Sequence, residues 1–215
     1  MKKIKAVIFD LDGTLANTLP LCIRAFRKSI EPLINRSVSD AEIVATFGPS
    51  EEGTIMALAP DHYKKGVTDY LSFYESLHHM CPTPFDGIND LLLELQNKGV
   101  HLAMVTGKGK HSTDISLNYF KLTNFFEIIE TGWQHGPRKP EGIRSVVDFL
   151  KDINKDEMIY VGDSPGDIIA CRKIGITVIA AAWAETAEPH ELEKLNPDQI
   201  FYNVSDFKEW LMREI

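Results

Sequence analysis

Two aspartates, Asp10 and Asp12, stand two residues apart at the end of the apolar run Ala6-Val7-Ile8-Phe9, and Gly13-Thr14 follows them. In an extended chain, residues i and i+2 point to the same side, so both carboxylates can address one site. Carboxylates crowded at a strand end repel each other unless a cation or a shared proton relieves them. A polar Asx turn would also end a strand, with Gly13 supplying the bend. Three further segments, in a fixed order along the chain, weigh against that simpler reading.

The second segment is Met104-Val105-Thr106-Gly107-Lys108, an apolar run that ends in a hydroxyl residue and a glycine. A strand-end Thr106 and the free amides that follow it, from Gly107 onward, can donate several hydrogen bonds to an anion. The third is Pro137-Arg138-Lys139-Pro140-Glu141. There Lys139, stiffened by proline and placed at a helix entrance, can hold an ammonium near a phosphoryl oxygen, while Arg138 reads as solvated. The fourth is Ile159-Tyr160-Val161-Gly162-Asp163-Ser164-Pro165-Gly166-Asp167, an apolar run ending in acids. Asp167 suits a helix cap, whereas Asp163, at the strand end itself, has less structural reason to be there. Oxygen donors without His or Cys favour a hard cation, Mg²⁺ before Zn²⁺. Acids, hydroxyl and ammonium together specify phosphoryl transfer.

The elements that must position these groups read as a parallel α/β sheet. Apolar runs at Ile4–Phe9, His101–Thr106, Phe125–Glu130, Met158–Val161 and Thr177–Ala181, with a weaker one near Ile200–Tyr202, predict strands. Helical patterns at Asp86–Asn97, Lys110–Phe120, Glu141–Leu150 and Pro165–Ile174 alternate with them, and Gly99 and Gly175 suit helix ends. Continuously apolar strands alternating with amphipathic helices indicate a parallel sheet covered on both faces. The four segments then lie at carboxyl ends of strands, the edge where open parallel sheets bind ligands. The rhythm breaks once. Leu19–Ile34, Asp40–Thr46, Glu51–Leu58 and His62–His79 read as consecutive helices, closed by the stiff Pro82-Thr83-Pro84 tract. This predicts a small helical domain (17–82) inserted into the sheet domain (1–16 and 83–215).

The chain of 215 residues, with 23 basic and 31 acidic side chains and a net charge of −8, is expected to have no general affinity for nucleic acid or anionic membranes. Cys22, Cys81 and Cys171 are scattered and read as buried or partly buried free thiols in a reducing compartment. The apolar run after the basic amino terminus is too short for an export or membrane segment, so a cytoplasmic protein is expected, monomeric or dimeric.

In this order the residues resemble the four motifs of the haloacid dehalogenase superfamily: the DxDGT stretch, the strand-end Thr, the Lys-Pro and the GDxxxD. The resemblance covers nearly the whole chain, and Phe85-Asp86-Gly87, Val105-Thr106-Gly107-Lys108 and the GDS form of the last motif make it similar to the phosphoglycolate phosphatase-like branch. It implies a Rossmann-like core whose helical insertion is a cap of the first type, and a Mg²⁺-dependent phosphatase of a small phosphorylated metabolite. It implies further that Asp10 is the nucleophile and Asp12 the general acid and base, and that Thr106, Gly107 and Lys139 bind the phosphoryl group. Mg²⁺ would be held by Asp10, the Asp12 carbonyl and Asp163, with Asp167 behind them orienting water or Lys139.

Asp12 favours phosphate chemistry over carbon–halogen cleavage, and no cap lysine (Lys28, Lys64, Lys65) sits in an apolar setting suited to a Schiff base. β-Phosphoglucomutases usually carry an acid just before the last-motif Asp; Gly162 stands there, which makes a phosphomutase the second choice. A catalytically inactive binding or regulatory protein is the third, against which the intact motif set speaks. Substrate choice is expected from the cap, through Phe47-Gly48-Pro49-Ser50-Glu51-Glu52-Gly53, with Gly48 and Glu52 as candidate substrate-reading residues. Ser50 also suits a helix N-cap, with Glu51 and Glu52 in the first turn. His78, His79 and His135 are expected at exposed loops or helix ends, and Trp133, Trp183 and Trp210 in ordinary packing.

Overall fold

A computed structural model describes residues 3–215. Strands β1 (Ala6–Phe9), β2 (His101–Val105), β3 (Ile128–Glu130), β4 (Met158–Gly162), β5 (Thr177–Ala181) and β6 (Gln199–Phe201) pair in parallel, in the order β3-β2-β1-β4-β5-β6. This is the doubly wound order of a Rossmann-like sheet, and its direction of winding reverses between β1 and β4, where such sheets bind ligands.

Alternate strand residues feed two apolar layers. Val7, Phe9, Leu102, Met104, Ile159 and Val161 face α5 (Ile88–Asn97), α6 (Lys110–Phe120) and α10 (Val204–Glu214). Ala6, Ile8, Ala103, Val105 and Tyr160 face α7 (Lys139–Phe149), α8 (Pro165–Ile174) and α9 (Pro189–Lys194). All four residues of β1 are buried, which follows from a strand covered on both faces.

Between β1 and α5 run α1 (Leu19–Ile34), α2 (Asp40–Val44), α3 (Glu51–Leu58) and α4 (Tyr63–Ser76). Their apolar faces meet around Phe26, Tyr70 and Tyr74, with Phe26 stacked on Tyr70 at 4.3 Å between centroids. The Phe85 amide donates to the Leu15 carbonyl at 3.0 Å, so the excursion ends beside its starting point.

Some boundaries differ from the sequence expectation. The strand expected over Phe125–Glu130 shortens to Ile128–Glu130, because Thr123–Phe125 form a 3₁₀ turn. The helix expected over His62–His79 stops at Ser76, where Leu77 leaves the α conformation, and His78–Met80 make a further 3₁₀ turn. Helix α7 starts at Lys139 rather than Glu141, since Pro140 suits a first helical turn. Helices α9 and α10 carry no counterpart in the sequence reading. The three cysteines are free and buried, and among the described residues no helix is long and apolar enough to cross a membrane.

Candidate active site

Parallel pairing aligns Phe9 with Met104 on one side and Val161 on the other. The residues just past those strands, Asp10, Thr106 and Asp163, therefore emerge side by side. The Asp10 amide donates to the Val161 carbonyl at 2.9 Å, which continues the ladder one residue beyond β1 and fixes this aspartate. The chain then turns sharply, with Gly13 at φ +74°, a conformation in which glycine carries no steric cost. A Cβ there would lie 2.1 Å from Asp163 Oδ2, so the loop backbone packs directly on that carboxylate. The Thr14 hydroxyl donates to Asp163 Oδ1 at 3.1 Å, and the Trp183 indole N–H donates to the Thr14 carbonyl at 3.0 Å.

Asp10, Asp163 and Asp167 each offer a carboxylate oxygen, and these oxygens lie within 4.8 Å of one another. The Lys139 ammonium donates to both Asp10 and Asp167. Lys139 is the first residue of α7, not a strand end, and reaches the cluster from the neighbouring βα connection. Asp167 lies beneath the site; it also accepts from the Tyr160 hydroxyl (2.9 Å), the Ser164 amide (2.9 Å) and the Ser164 hydroxyl (2.6 Å).

Charge balance follows from this packing. Burial pushes the Asp10 carboxyl up to about 6, although the Lys139 ammonium pulls it down. Burial, then the charges of Asp10 and Asp167, push Asp163 well above the usual carboxylate range. Burial would also raise Asp167, but the Lys139 ammonium and the Ser164 bonds hold it below the usual value. Burial would lower Lys139, yet Asp10 and Asp167 keep it raised and charged. One ammonium thus pairs with two of three clustered carboxylates and leaves the half-buried Asp163 without an ammonium of its own in the cluster. An all-oxygen set with unneutralised charge fits a hard divalent cation.

Asp12 points elsewhere. It accepts from the Thr18 hydroxyl through one oxygen and from the Lys108 ammonium through the other, at 3.1 Å. Lys108 is the site residue whose importance the sequence did not disclose: lysines are ordinarily solvated, and only its place directly after Thr106-Gly107 hinted otherwise. Its side chain is 3% exposed; burial would lower its pKa, but the Asp12 carboxylate prevails and it stays charged.

A cavity of about 610 Å³ opens over these groups, lined by Asp10, Asp12, Thr106, Gly107, Lys108, Lys139 and Asp163 from the sheet edge. From the helical insertion it takes Leu19, Cys22, Phe26, Phe47, Gly48, Glu51 and Tyr70. Gly48 lies where the sequence expected a substrate-reading residue. Glu52 does not line the cavity; it accepts the Ser50 hydroxyl at 2.5 Å, and Ser50 makes no side-chain cap bond. Its neighbour Glu51, expected only to favour the start of α3, is buried. It accepts from the Gly109 amide (2.7 Å) and the Ser112 hydroxyl (2.6 Å) at the start of α6.

Three further expectations are corrected. His78 is fully buried, with Nε2 at 3.0 Å from the Ser116 hydroxyl and its ring stacked on Tyr119. Trp133 is 48% exposed, with His135 and Arg138 against its ring. Arg138 is half-buried and pairs with Glu130 at 3.5 Å instead of being solvated. Trp183 and Trp210 pack against Phe207, as expected.

The family model for the haloacid dehalogenase-like hydrolase matches residues 7–181. Pyrophosphatase PpaX from Bacillus mycoides is 27% identical over 213 residues, covering 98% of each chain. Among solved structures, a haloacid dehalogenase-like family hydrolase from Streptococcus pneumoniae superposes with a TM-score of 0.74 at 25% identity, over 96% of this chain and 98% of that one. A predicted phosphoglycolate phosphatase from Haemophilus somnus superposes with a TM-score of 0.79 at 20% identity, over 97% and 98% of the two chains.

Proposed function

We propose that this chain, which belongs to the haloacid dehalogenase-like hydrolase family, is a Mg²⁺-dependent phosphatase of small phosphate esters or anhydrides. The observation that carries the reading is the meeting of Asp10, Asp163 and Asp167, the first and last bonded to the Lys139 ammonium, beneath a cavity that Thr106 and Lys139 also line. Carboxylate donors from Asp10 and Asp163, with the Asp12 carbonyl, would hold Mg²⁺, which when bound offsets carboxylate repulsion and phosphoryl charge. Asp167 positions Lys139 from below.

An Asp10 carboxylate oxygen attacks phosphorus, and the bond from phosphorus to the leaving oxygen breaks. The Asp12 carboxyl gives its proton to that oxygen, and the resulting Asp12 carboxylate then takes a proton from water as the water attacks the phosphorus of phospho-Asp10. Inorganic phosphate leaves and Asp10 is regenerated. Thr106, the Gly107 amide and Lys139 spread the charge of the transferring group. Residues 17–82 act as a cap whose underside encloses the leaving group and excludes bulk water.

The same geometry speaks against the mutase. A Cβ on Gly162 would lie 2.5 Å from Asp167 Cγ and 2.7 Å from Tyr160 Cε1, so the acid that mutases usually carry there has no room. Phosphate release from a panel of esters and anhydrides, with Mg²⁺ and with chelator, tests the reading. Magnesium-dependent release is expected; isomerisation of a sugar phosphate without release would replace it with the mutase.

A further inference from the structure

One charged group on the cavity wall has no task in the phosphoryl chemistry above. Lys108 carries its ammonium on the Asp12 side of the cavity, whereas Lys139 serves Asp10 and Asp167. The surroundings of Lys108 are poor in acceptors for a buried cation. An ammonium has three N–H donors. Among the described residues its one oxygen partner is Asp12 Oδ2 at 3.1 Å; the Cys22 sulfur lies at 3.1 Å and the Tyr74 ring centroid at 4.5 Å. A thiol and an aromatic face are weak acceptors, and buried charges are normally met by full ones.

The part of the cavity wall that the insertion supplies is largely apolar, with Leu19, Cys22, Phe26, Phe47 and the Tyr70 ring beside the hydroxyl of Thr54. Glu51, the acid contributed from the same side, is turned to the start of α6, where two donors occupy it. A leaving group held against Asp12 therefore meets a largely apolar wall and the Lys108 ammonium, whose three donors Asp12 alone does not fill. Such a wall attracts an anion and offers little to a neutral hydroxylated group.

We propose that Lys108 selects the leaving group: it binds a carboxylate or phosphate attached within two atoms of the oxygen that Asp12 protonates, so that preferred substrates carry a second anion beside the phosphoryl group. This rests on the hydrolytic reading above. When the bond to phosphorus breaks and the leaving oxygen takes the Asp12 proton, the departing anion keeps its pairing with Lys108. Inorganic pyrophosphate places the second anion directly on the bridging oxygen, and phosphoglycolate places it two carbons away. A sugar or nucleoside phosphate offers hydroxyls there.

Matched substrates test this. For the full-length enzyme with Mg²⁺, phosphoglycolate is compared with 2-hydroxyethyl phosphate, which differ mainly in the second anion. Pyrophosphate is compared with acetyl phosphate, an anhydride that lacks the second anion and has the better leaving group, so that a preference for the anionic member does not come from leaving-group basicity. A charge-assisted hydrogen bond in a buried site corresponds to about tenfold or more, so kcat/KM is expected to favour the anionic member by at least that factor. Lys108→Met should collapse the ratio toward one, and Lys108→Arg should retain much of it.

An equal loss for both members in Lys108→Met would show that the lysine only positions Asp12, and the proposal falls. So does a wild-type enzyme that prefers the neutral members, although phosphatase activity then stands. Release from none of the four would count against the hydrolytic reading itself. Methylenebisphosphonate against methylphosphonate as inhibitors of the wild-type enzyme decides the matter without a variant: tighter inhibition by the former by about tenfold is expected, and equal inhibition overturns the proposal.

Discussion

Replacing Glu51 separates two roles that a glutamate at the start of a helix can play. If it merely favours the positive end of α3, Glu51→Ala and Glu51→Gln both cost about 0.3–1 kcal/mol, since each removes the same charge. The structure gives it a larger role, because both carboxylate oxygens accept hydrogen bonds at the start of α6, at 2.7 and 2.6 Å, and so tie α3 to that helix. Hydrogen bonds to a charged group contribute about 1.5–3 kcal/mol each, and unpaired buried donors add to the loss. Ser112 has a second acceptor in the Gly109 carbonyl at 3.3 Å, which reduces the sum. Glu51→Ala is therefore expected to cost about 2–4 kcal/mol, a fall of roughly 5–12 °C in Tm for a chain of this size.

Glutamine can accept from the Gly109 amide while its NH₂ donates to a rotated Ser112 hydroxyl, so Glu51→Gln should cost only about 1 kcal/mol. Thermal and urea unfolding followed by circular dichroism, with the neighbouring, half-buried Glu52→Ala as the control, measures both. Equal and small effects of the two Glu51 variants would refute the bridging role and return the residue to helix-end electrostatics.

Asp10→Asn should fold normally and lose several orders of magnitude in phosphate release, because it removes the nucleophile and preserves volume; near wild-type turnover would show that another group attacks phosphorus. Folded Asp10 keeps its proton up to about pH 6, while the unfolded chain releases it near 3.8. The folded state thus binds more protons in that window, and metal-free stability should fall as pH rises through it, on the order of 2 kcal/mol, with Mg²⁺ reversing the loss; urea midpoints at pH 4.5 and 7.5, with and without Mg²⁺, check the sign. Gly13→Ala should abolish activity, since its Cβ would displace Asp163, and a variant with intact kcat would contradict that packing. Glu52→Ala should leave the ranking of substrates by kcat/KM unchanged, because Glu52 faces Ser50 rather than the cavity.

The sheet and the site's acids were legible in the sequence for physical reasons that hold locally. A strand buried on both faces is continuously apolar, and a carboxylate at its end is conspicuous because burial without a partner is costly. What escaped notice depends on contacts far apart in sequence. Lys108 is buried because Cys22 and Tyr74, from two helices of the insertion, close over it. Glu51 acquires its partners 58 and 61 positions away. His78 looks like one more polar residue at a helix end until Tyr119 and Phe120 pack on it. Helix α10 carries signals that were there to read: Asn203 caps it by accepting from the Asp206 amide at 2.8 Å, and Val204, Phe207 and Leu211 stand at helical i, i+3, i+7 spacing.

The bond from the Trp183 indole to the Thr14 carbonyl gives the molecule a built-in optical reporter. Thr14 also holds Asp163, so any ion or phosphoryl group that rearranges these carboxylates alters the polarity and hydrogen bonding felt by this indole. Trp210 packs on Phe201 and Phe207, and Trp133 is half exposed with His135 and Arg138 against its ring, so both add background emission to the signal. Steady-state fluorescence, with Trp133→Phe to sharpen the signal, would therefore follow loading of the active-site loop in an unlabelled protein and without turnover.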